Sequence, residues 1–586
     1  MAVRRGVGCV ISLLVFAGAV SIGGLVAMWL FVGVEPSVPS RATLVLRIDT
    51  DPVEGGPDDA FSQLLPVQRA RSIRTLVENV RKAKADRRVA ALLVRPTGLT
   101  SPYLAKVQEL RDAILDFKRS GKPAIAYLED GGQTEYYLAT ACDRIYLAPS
   151  SPLQLTGMAS YSLFLRGTLD TIGAYPDMLH IGAYKTATNQ LTEKTFTPQH
   201  REMEQSLNTD SYEQLMAAIA AGRKKSDADV RALVDEGPFL PEEAKRAGLV
   251  DAVAYEDEIG DLAKVPLGRG KRIELVDYDR VSQGSVGLGR GPRIAVIHAS
   301  GTIVSGRSGY DPLNGPVLGS DTLVESIRKV REASDIRGVV LRIDSPGGSA
   351  VASDVIWREL VMLRDSKPEK PLVVSMSDLA ASGGYYIAMA APQIVAEPGT
   401  LTGSIGIYGG KVVTGGLYGK LGANVEGVSE GKNADMNSPT RKYNDAERAE
   451  LAQQLQAFYD QFIERVAAAR KMTPDQVDRI AQGRVWTGQQ AKEIGLVDAI
   501  GGLEKAVALV KQKAKITSAD VELVIYPPKK TLYEALTSQL GGSGERMGLA
   551  AFLRPEERRA VGLAAAPWTL FRRGEALALM PYGLIR

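Results

Sequence analysis

The sequence predicts an α/β protein built as two tandem copies of one unit, each carrying a mainly parallel sheet. Two observations carry this. "TLVENVRKA" at Thr75–Ala83 returns as "TLVESIRKV" at Thr322–Val330, and "AKRAGLVDA" at Ala244–Ala252 returns as "AKEIGLVDA" at Ala491–Ala499. Both pairs lie 247 residues apart, a period that marks a duplicated domain and not a solenoid. Within each copy, β-branched apolar runs alternate with amphipathic patterns, as where "RGVVLRID" is followed after a Gly turn by "AVASDVIWRELVMLR". That alternation is the signature of βαβ units.

Taken in order, the chain begins with Arg4 and Arg5 and then a charge-free stretch from Gly6 to Val34. It exceeds the roughly 20 residues that cross a bilayer and the roughly 7 to 15 of a signal-peptide core. A retained transmembrane anchor at 6–34 is expected, with "AGA" at Ala17–Ala19 as an alternative cleavage point. The preceding arginines place the N-terminus in the cytoplasm and everything after residue 34 outside that membrane. The first copy is expected at 42–265 and the second at 293–515. A Gly-rich linker at 266–292 joins them, and a tail at 516–586 has no counterpart in the first copy. The tail ends in a basic and apolar mixture suited to covering a groove, contacting another subunit or lying on a membrane.

Composition narrows the function. A chain of 586 residues with 45% hydrophobic content is long enough for two or three packed units. A net charge of +3 from 71 basic and 68 acidic residues argues against a nucleic-acid partner. Cys9 and Cys142 are the only cysteines, and His180, His200 and His298 are scattered without an HExxH, so neither a metal site nor a cofactor is expected. "GLGRG" precedes a strand with the wrong spacing for a dinucleotide fingerprint.

The copies differ most where chemistry is plausible. "SGGYYIAMAAPQIVAEPGTLTGSIG" aligns with "QTEYYLATACDRIYLAPSSPLQLTGM" through the tyrosine pairs 385/386 and 136/137. Ser382 therefore stands where the first copy has Gln133, and "DSPGGSA" stands opposite "RPTGLTS", which lacks the double Gly. A purely structural turn would need similar residues in both copies. The asymmetry suggests that one half reacts and the other supports it.

An attacking hydroxyl needs a base and donors for the developing oxyanion. Ser382 opens a predicted helix, and Gly383 succeeds it. Gly347 and Gly348 of "SPGG" can bring backbone N–H groups close to a substrate carbonyl, although an ordinary strand-to-helix turn has the same look. No GxSxG and no well-placed His is present. A lysine kept neutral by apolar burial can serve as base. Lys185 in "LHIGAYKTATNQL" and its duplicate Lys432 in "GVSEGKNADMNSP" are the two candidates.

The set "DSPGG", "SDLAASGGYYIAMAA", "GTLTGSIGI" and "GAYKTA", on two halves behind an anchor, resembles the long tandem-domain form of the bacterial signal peptide peptidase (protease IV) family. The resemblance covers 42–515. It implies Clp protease/crotonase-like domains and a membrane-anchored serine endopeptidase with a Ser/Lys dyad. Ser382 matches the family's nucleophile, Lys185 its general base, and Ser404 of "TGSIG" the serine that orients the lysine. Gly347, Gly348 and Gly383 match the oxyanion region. Short family members take their lysine from the segment matching Lys432. In a ring of alternating halves, however, Ser382 would meet Lys185, and Lys432 would face Gln133.

The resemblance further implies hydrophobic peptide substrates such as signal-peptide remnants, and contact with membrane lipid. It implies a homotetrameric ring, no ATPase partner, and the periplasmic side of the bacterial inner membrane as location. A crotonase-like acyl-thioester enzyme and a non-proteolytic envelope scaffold are the alternative classes.

Overall fold

The computed structural model describes residues 35–54, 71–268, 270–311, 315–528, 575–580 and 584–585. The apolar span 6–34 lies outside them. Among the described residues no helix is long and apolar enough to cross a membrane.

The first half carries β1 (Ala42–Ile48), β2 (Val89–Pro96), β3 (Ala124–Leu128), β4 (Arg144–Leu147), β5 (Ser160–Tyr161), β6 (Tyr175–Ile181), β7 (Ala252–Val253) and β8 (Arg272–Glu274). The second begins with β9 (Arg293–Ser300), β10 (Thr302–Val304), β11 (Gly309–Asp311), β12 (Gly315–Gly319), β13 (Ile336–Ser345), β14 (Gly347–Ser349) and β15 (Leu372–Ala381). It continues with β16 (Ile394–Ala396), β17 (Leu401–Gly403), β18 (Ile407–Val413), β19 (Val485–Thr487), β20 (Ala499–Ile500) and β21 (Glu522–Tyr526). Near the C-terminus lie β22 (Leu577–Leu579) and β23 (Leu584–Ile585).

Both copies build one path. Strands β8-β1-β2-β3-β4-β7 in the first half and β21-β9-β13-β15-β16-β20 in the second run side by side, every neighbour parallel. All ten residues of β15 are buried, as expected of a parallel strand covered on both faces. The repeated "TLVE" segments lie in the helices Ile73–Ala85 and Ser320–Glu332. These bury Leu76, Val80 and Ala83, and Leu323, Ile327 and Val330, the one-face stripe of a 3.6-residue period. The repeated tyrosines are structural. Tyr136 and Tyr385 are both fully buried and donate to the carbonyls of Leu249 and Leu496, at 2.8 and 3.0 Å.

The stretch 266–292 differs from the expected linker. Its strand β8 pairs with β1, and Ile273, Leu275, Tyr278 and Val281 enter the first core. Polar Arg272, Glu274, Asp277 and Asp279 are interspersed with them, a half-buried pattern that the flanking glycines obscure. In the same way β21, inside the stretch read as tail, closes the edge of the second sheet on β9.

A further sheet, β11-β12-β10-β14-β22-β18-β6, joins the halves. First-half β6 lies antiparallel to second-half β18 from Ile181↔Ile407 to Tyr175↔Val413. A buried ion network adds to the seam. Fully buried Arg342 donates to Glu54 and Glu109 of the first half and to Ser375 Oγ (2.8 Å) and Ser377 Oγ (3.1 Å) of β15. Such a cluster is tolerated because every ion finds hydrogen-bonded partners.

Candidate active site

Ser382 ends β15 and caps the six-residue helix Gly383–Ala388 with φ 56° and ψ −113°. A non-glycine residue there stores roughly 1–3 kcal/mol of backbone strain, held only if its surroundings impose it. They do: the Ser382 N–H donates to Gly403 O at 2.8 Å, and Tyr386 N–H donates to Ser382 O at 2.8 Å. The side chain is fully buried.

Lys185 reaches Ser382 from the first half. Its Nζ lies 2.7 Å from Ser382 Oγ and 3.0 Å from both the hydroxyl and the carbonyl oxygen of Ser404. Lys185 and Ser404 are fully buried. These partners are all neutral oxygens, and desolvation alone holds the lysine well below its ordinary range. An amine in this setting gives up its proton far more readily than a lysine in water.

The loop carrying Lys185 comes directly after β6, so the β6–β18 pairing delivers it. Tyr184 N–H donates to Gln482 O at 2.7 Å, and Gly483 N–H donates to Ile405 O at 2.8 Å. Gly483 has φ 78°, and a Cβ there would sit 2.5 Å from the Lys185 Cα, so only glycine fits. Ser404, at φ 50°, is tied by its N–H to Arg484 O at 2.7 Å. The loop 482–484 thus holds both the lysine and the serine beside it.

The glycines converge on the same point. Gly347 has φ 99°, and a Cβ on it would stand 2.7 Å from the Gly383 amide nitrogen and 2.0 Å from Ala578 O. The Gly347 N–H itself donates to Ser345 Oγ at 3.2 Å, while Gly348 pairs with Ala578. Strand β22 of the C-terminal tail therefore fills the slot between β14 and β18, beside the turn that carries Ser382. Met580 continues it into an apolar cluster with Met203, Leu207, Leu379, Ala381, Leu401 and Val485.

Ser382, Lys185, Ser404, Gly347, Gly348 and Gly383 are thus brought to one place. Lys432 is not: it is exposed on the turn-rich segment before the helix Asp445–Arg470. Gln133 serves its own loop, its Oε1 accepting from Thr156 N–H (3.3 Å) and Gly157 N–H (3.0 Å). His200 is buried against Phe164 and Phe196. His298 is buried 3.7 Å from Glu54, with its pKa pushed down to about 4 chiefly by desolvation. Sequence reasoning misses the 482–484 loop and the inserted β22. Only a glycine in a nondescript "AQGR" marks the first, and three short apolar residues the second.

Comparison with known proteins finds relatives of both halves. The profile of peptidase family S49 matches residues 116–267 and 364–517, one match in each half. The chain is 38% identical over 480 residues to the chloroplastic serine protease SPPA of Arabidopsis thaliana, covering 80% of this chain and 70% of that protein. It is 32% identical over 490 residues to protease 4 of Salmonella typhi, covering 81% and 77%. A putative signal peptide peptidase SppA from Enterococcus faecium is 36% identical over 195 residues, covering 33% and 56%.

Proposed function

The chain belongs to peptidase family S49 and is a serine-type peptidase; from that premise we propose that it cleaves peptides with a dyad of Ser382 and Lys185, split between its two halves. The carrying observation is the 2.7 Å approach of a fully buried lysine amine to the Ser382 hydroxyl. A neutral amine has two hydrogens and one lone pair. Ser404 Oγ and O, both at 3.0 Å, accept the hydrogens, which aims the lone pair at the Ser382 proton.

Lys185 takes that proton as Ser382 Oγ bonds to the peptide carbonyl carbon, and the carbonyl oxygen becomes an oxyanion facing Gly383 and the Gly347–Gly348 turn. The ammonium then returns the proton to the leaving amine as the C–N bond breaks. Water, deprotonated by Lys185, attacks the ester and releases Ser382.

The Met580 cluster is apolar throughout, which supports hydrophobic peptides, such as signal-peptide remnants, as substrates. An anchor at 6–34 would hold a Clp protease/crotonase-like tandem, with halves from 42 to 265 and 293 to 515, against the periplasmic face of the inner membrane, where such peptides remain.

The repeat supports a ring. Antiparallel β6 sits on one edge of β18, and β22 on the other at Tyr408↔Leu577. Some 247 residues earlier, Tyr161 of β5 pairs with Leu584, and among the described residues its second edge has no β6 equivalent. The sequence equivalent of β6 is 422–428, where Val425 and Val428 are exposed, as are Tyr161 and Leu163. Copies joined through these edges would close into a homotetramer and bring Lys432 toward a neighbour's Gln133.

The test is turnover of a fluorogenic apolar peptide and labelling by a fluorophosphonate. Wild type is active, Lys432→Met stays within about twofold, and Ser382→Ala and Lys185→Met lose activity by about 10³-fold or more. Retained activity in folded Lys185→Met would move the base elsewhere.

A further inference from the structure

Beyond the dyad, a second first-half lysine is built into the reactive half. Lys106, in the first turn of the helix Ala105–Lys118, has only 12% of its side chain exposed. Its Nζ donates to Asp344 Oδ2 at 2.7 Å and to Asp378 Oδ2 at 2.8 Å, and its backbone N–H donates to Asp378 Oδ1 at 3.0 Å. Asp344 Oδ1 in turn accepts from Leu379 N–H at 3.1 Å.

These contacts fall at one irregularity of the sheet. Strands β13 and β15 pair in parallel register up to Ile343↔Met376 and resume at Ser345↔Ala380. One residue of β13, Asp344, therefore faces three of β15, Ser377, Asp378 and Leu379. Such a bulge bends its strand and re-aims the residues beyond it. Beyond it on β15 lies Ser382, and beyond it on β13 lies the Gly347 turn. With the ladder broken, the Lys106 ammonium and the Asp344–Leu379 bond hold the two strands together.

The arrangement is confined to the half with the nucleophile. At the 247-residue spacing the first half has Thr97 in place of Asp344, and Ser353 stands in place of Lys106; the tyrosine alignment sets against Asp378 a glutamate, Glu129, that accepts from Arg95 instead of a lysine. A contact needed only to pack one half on the other would have no reason to be tied to the bulge ahead of the serine.

We propose that Lys106 is a positioning residue for the reaction: by bridging Asp344 and Asp378 across the β13–β15 bulge it sets the distance between Ser382 and the Gly347–Gly348 turn. The first half then contributes two lysines with opposite conditions. Lys185 is desolvated with no acid to offset the burial, which lowers its pKa; Lys106 is also desolvated, but Asp344 and Asp378 outweigh the burial and hold its proton above the ordinary range. This inference rests on the peptidase reading above.

The test uses the full-length chain in detergent with a fluorogenic apolar peptide. Asp378→Asn is isosteric and leaves Lys106 paired with Asp344. The triple variant Lys106→Met, Asp344→Asn, Asp378→Asn removes the bridge without stranding a buried charge. For variants that melt within a few degrees of wild type, kcat falls about tenfold or more in the triple and at least about threefold in Asp378→Asn, with KM changed less than about twofold; an ångström of misplacement has effects of this order or larger. The fluorophosphonate labelling rate falls in parallel. A folded variant with wild-type kcat, or a loss confined to KM, overturns the positioning role; if the triple does not fold, Asp378→Asn decides alone. Wild type that cleaves no peptide would instead sink the dyad reading on which this one rests.

Discussion

The lowered pKa of buried Lys185 makes a thermodynamic prediction that needs no substrate. Lys185→Met removes a buried amine hydrogen-bonded to Ser382 and Ser404. In the unfolded chain the lysine binds a proton up to about pH 10.4. In the folded chain desolvation holds its pKa well below that, so the unfolded state binds more protons and wild-type stability rises with pH across the window between the two values. The penalty is present below the unfolded value and disappears above it. One proton corresponds to about 1.4 kcal/mol per pH unit. The variant leaves the Ser404 acceptors without a donor, at a cost of about 1–3 kcal/mol each, but that loss does not vary with pH. Denaturation of both proteins at about pH 7.5, 8.5 and 9.5 therefore isolates the lysine. The free energy of wild type relative to Lys185→Met should rise by about 1.4 kcal/mol per unit, since all other titrating groups are common to both. A difference that stays flat across this range would mean that the folded protein keeps Lys185 protonated, and the lysine would not be the base.

Three further outcomes rest on the same geometry. Ser404→Ala leaves the Ser404 carbonyl as sole acceptor for the amine, so kcat should fall about 10- to 100-fold with little change in KM; an unchanged kcat would remove Ser404 from the site. Gly483→Ala forces a Cβ against the Lys185 backbone at φ 78°, and both peptide turnover and fluorophosphonate labelling should drop steeply while the protein remains folded; wild-type labelling would show that the loop does not place the lysine. A chain ending at residue 574 lacks β22 and empties the slot between β14 and β18. Its turnover of apolar peptides at low concentration should rise several-fold, and an added peptide of sequence 575–580 should inhibit it; a fall in activity would make the strand a required part of the site.

Much of this is legible in the sequence because duplication supplies its own control. The repeated "TLVE" and "GLVDA" segments show that the halves correspond, and the tyrosine pairs 136/137 and 385/386 align them closely enough to expose the Ser382–Gln133 difference and the loss of the double glycine. Lys185 stands out from other lysines only through the family resemblance, because nothing local distinguishes a lysine that will be desolvated from one on the surface. Its desolvation is made by β18, the turn at Ser404 and the 482–484 loop, all distant in sequence and brought in by the fold. Strand β22 is invisible for a related reason. Three residues are too short for a periodic signal, and their strand character comes from the two edges they lie between. The glycines around 266–292 mislead for the opposite reason, since they flank a segment whose apolar residues are few but buried.

On the proposed mechanism, the division of labour between the halves follows from what a lysine base demands. A triad can keep its histidine near water, but an amine serves as a base near neutral pH when burial, with no acid nearby, lowers its pKa. Lys185 is sealed by Ser404 and the 482–484 loop of the other half, and the pairing of β6 with β18 sets the depth to which it enters. On the proposed dyad, a single chain of two halves holds one complete intramolecular pocket, Lys185 against Ser382. The other pair, Lys432 and Gln133, stands apart within the chain, the lysine exposed and the glutamine bonded to its own loop at Thr156 and Gly157. Placing a serine at residue 133 would therefore restore no second site by itself. At the 247-residue spacing the first half also has Thr97 where the second has Asp344, and Thr100 and Ser101 where the second has its double glycine, so it lacks both the proposed oxyanion turn and the acid proposed to anchor it.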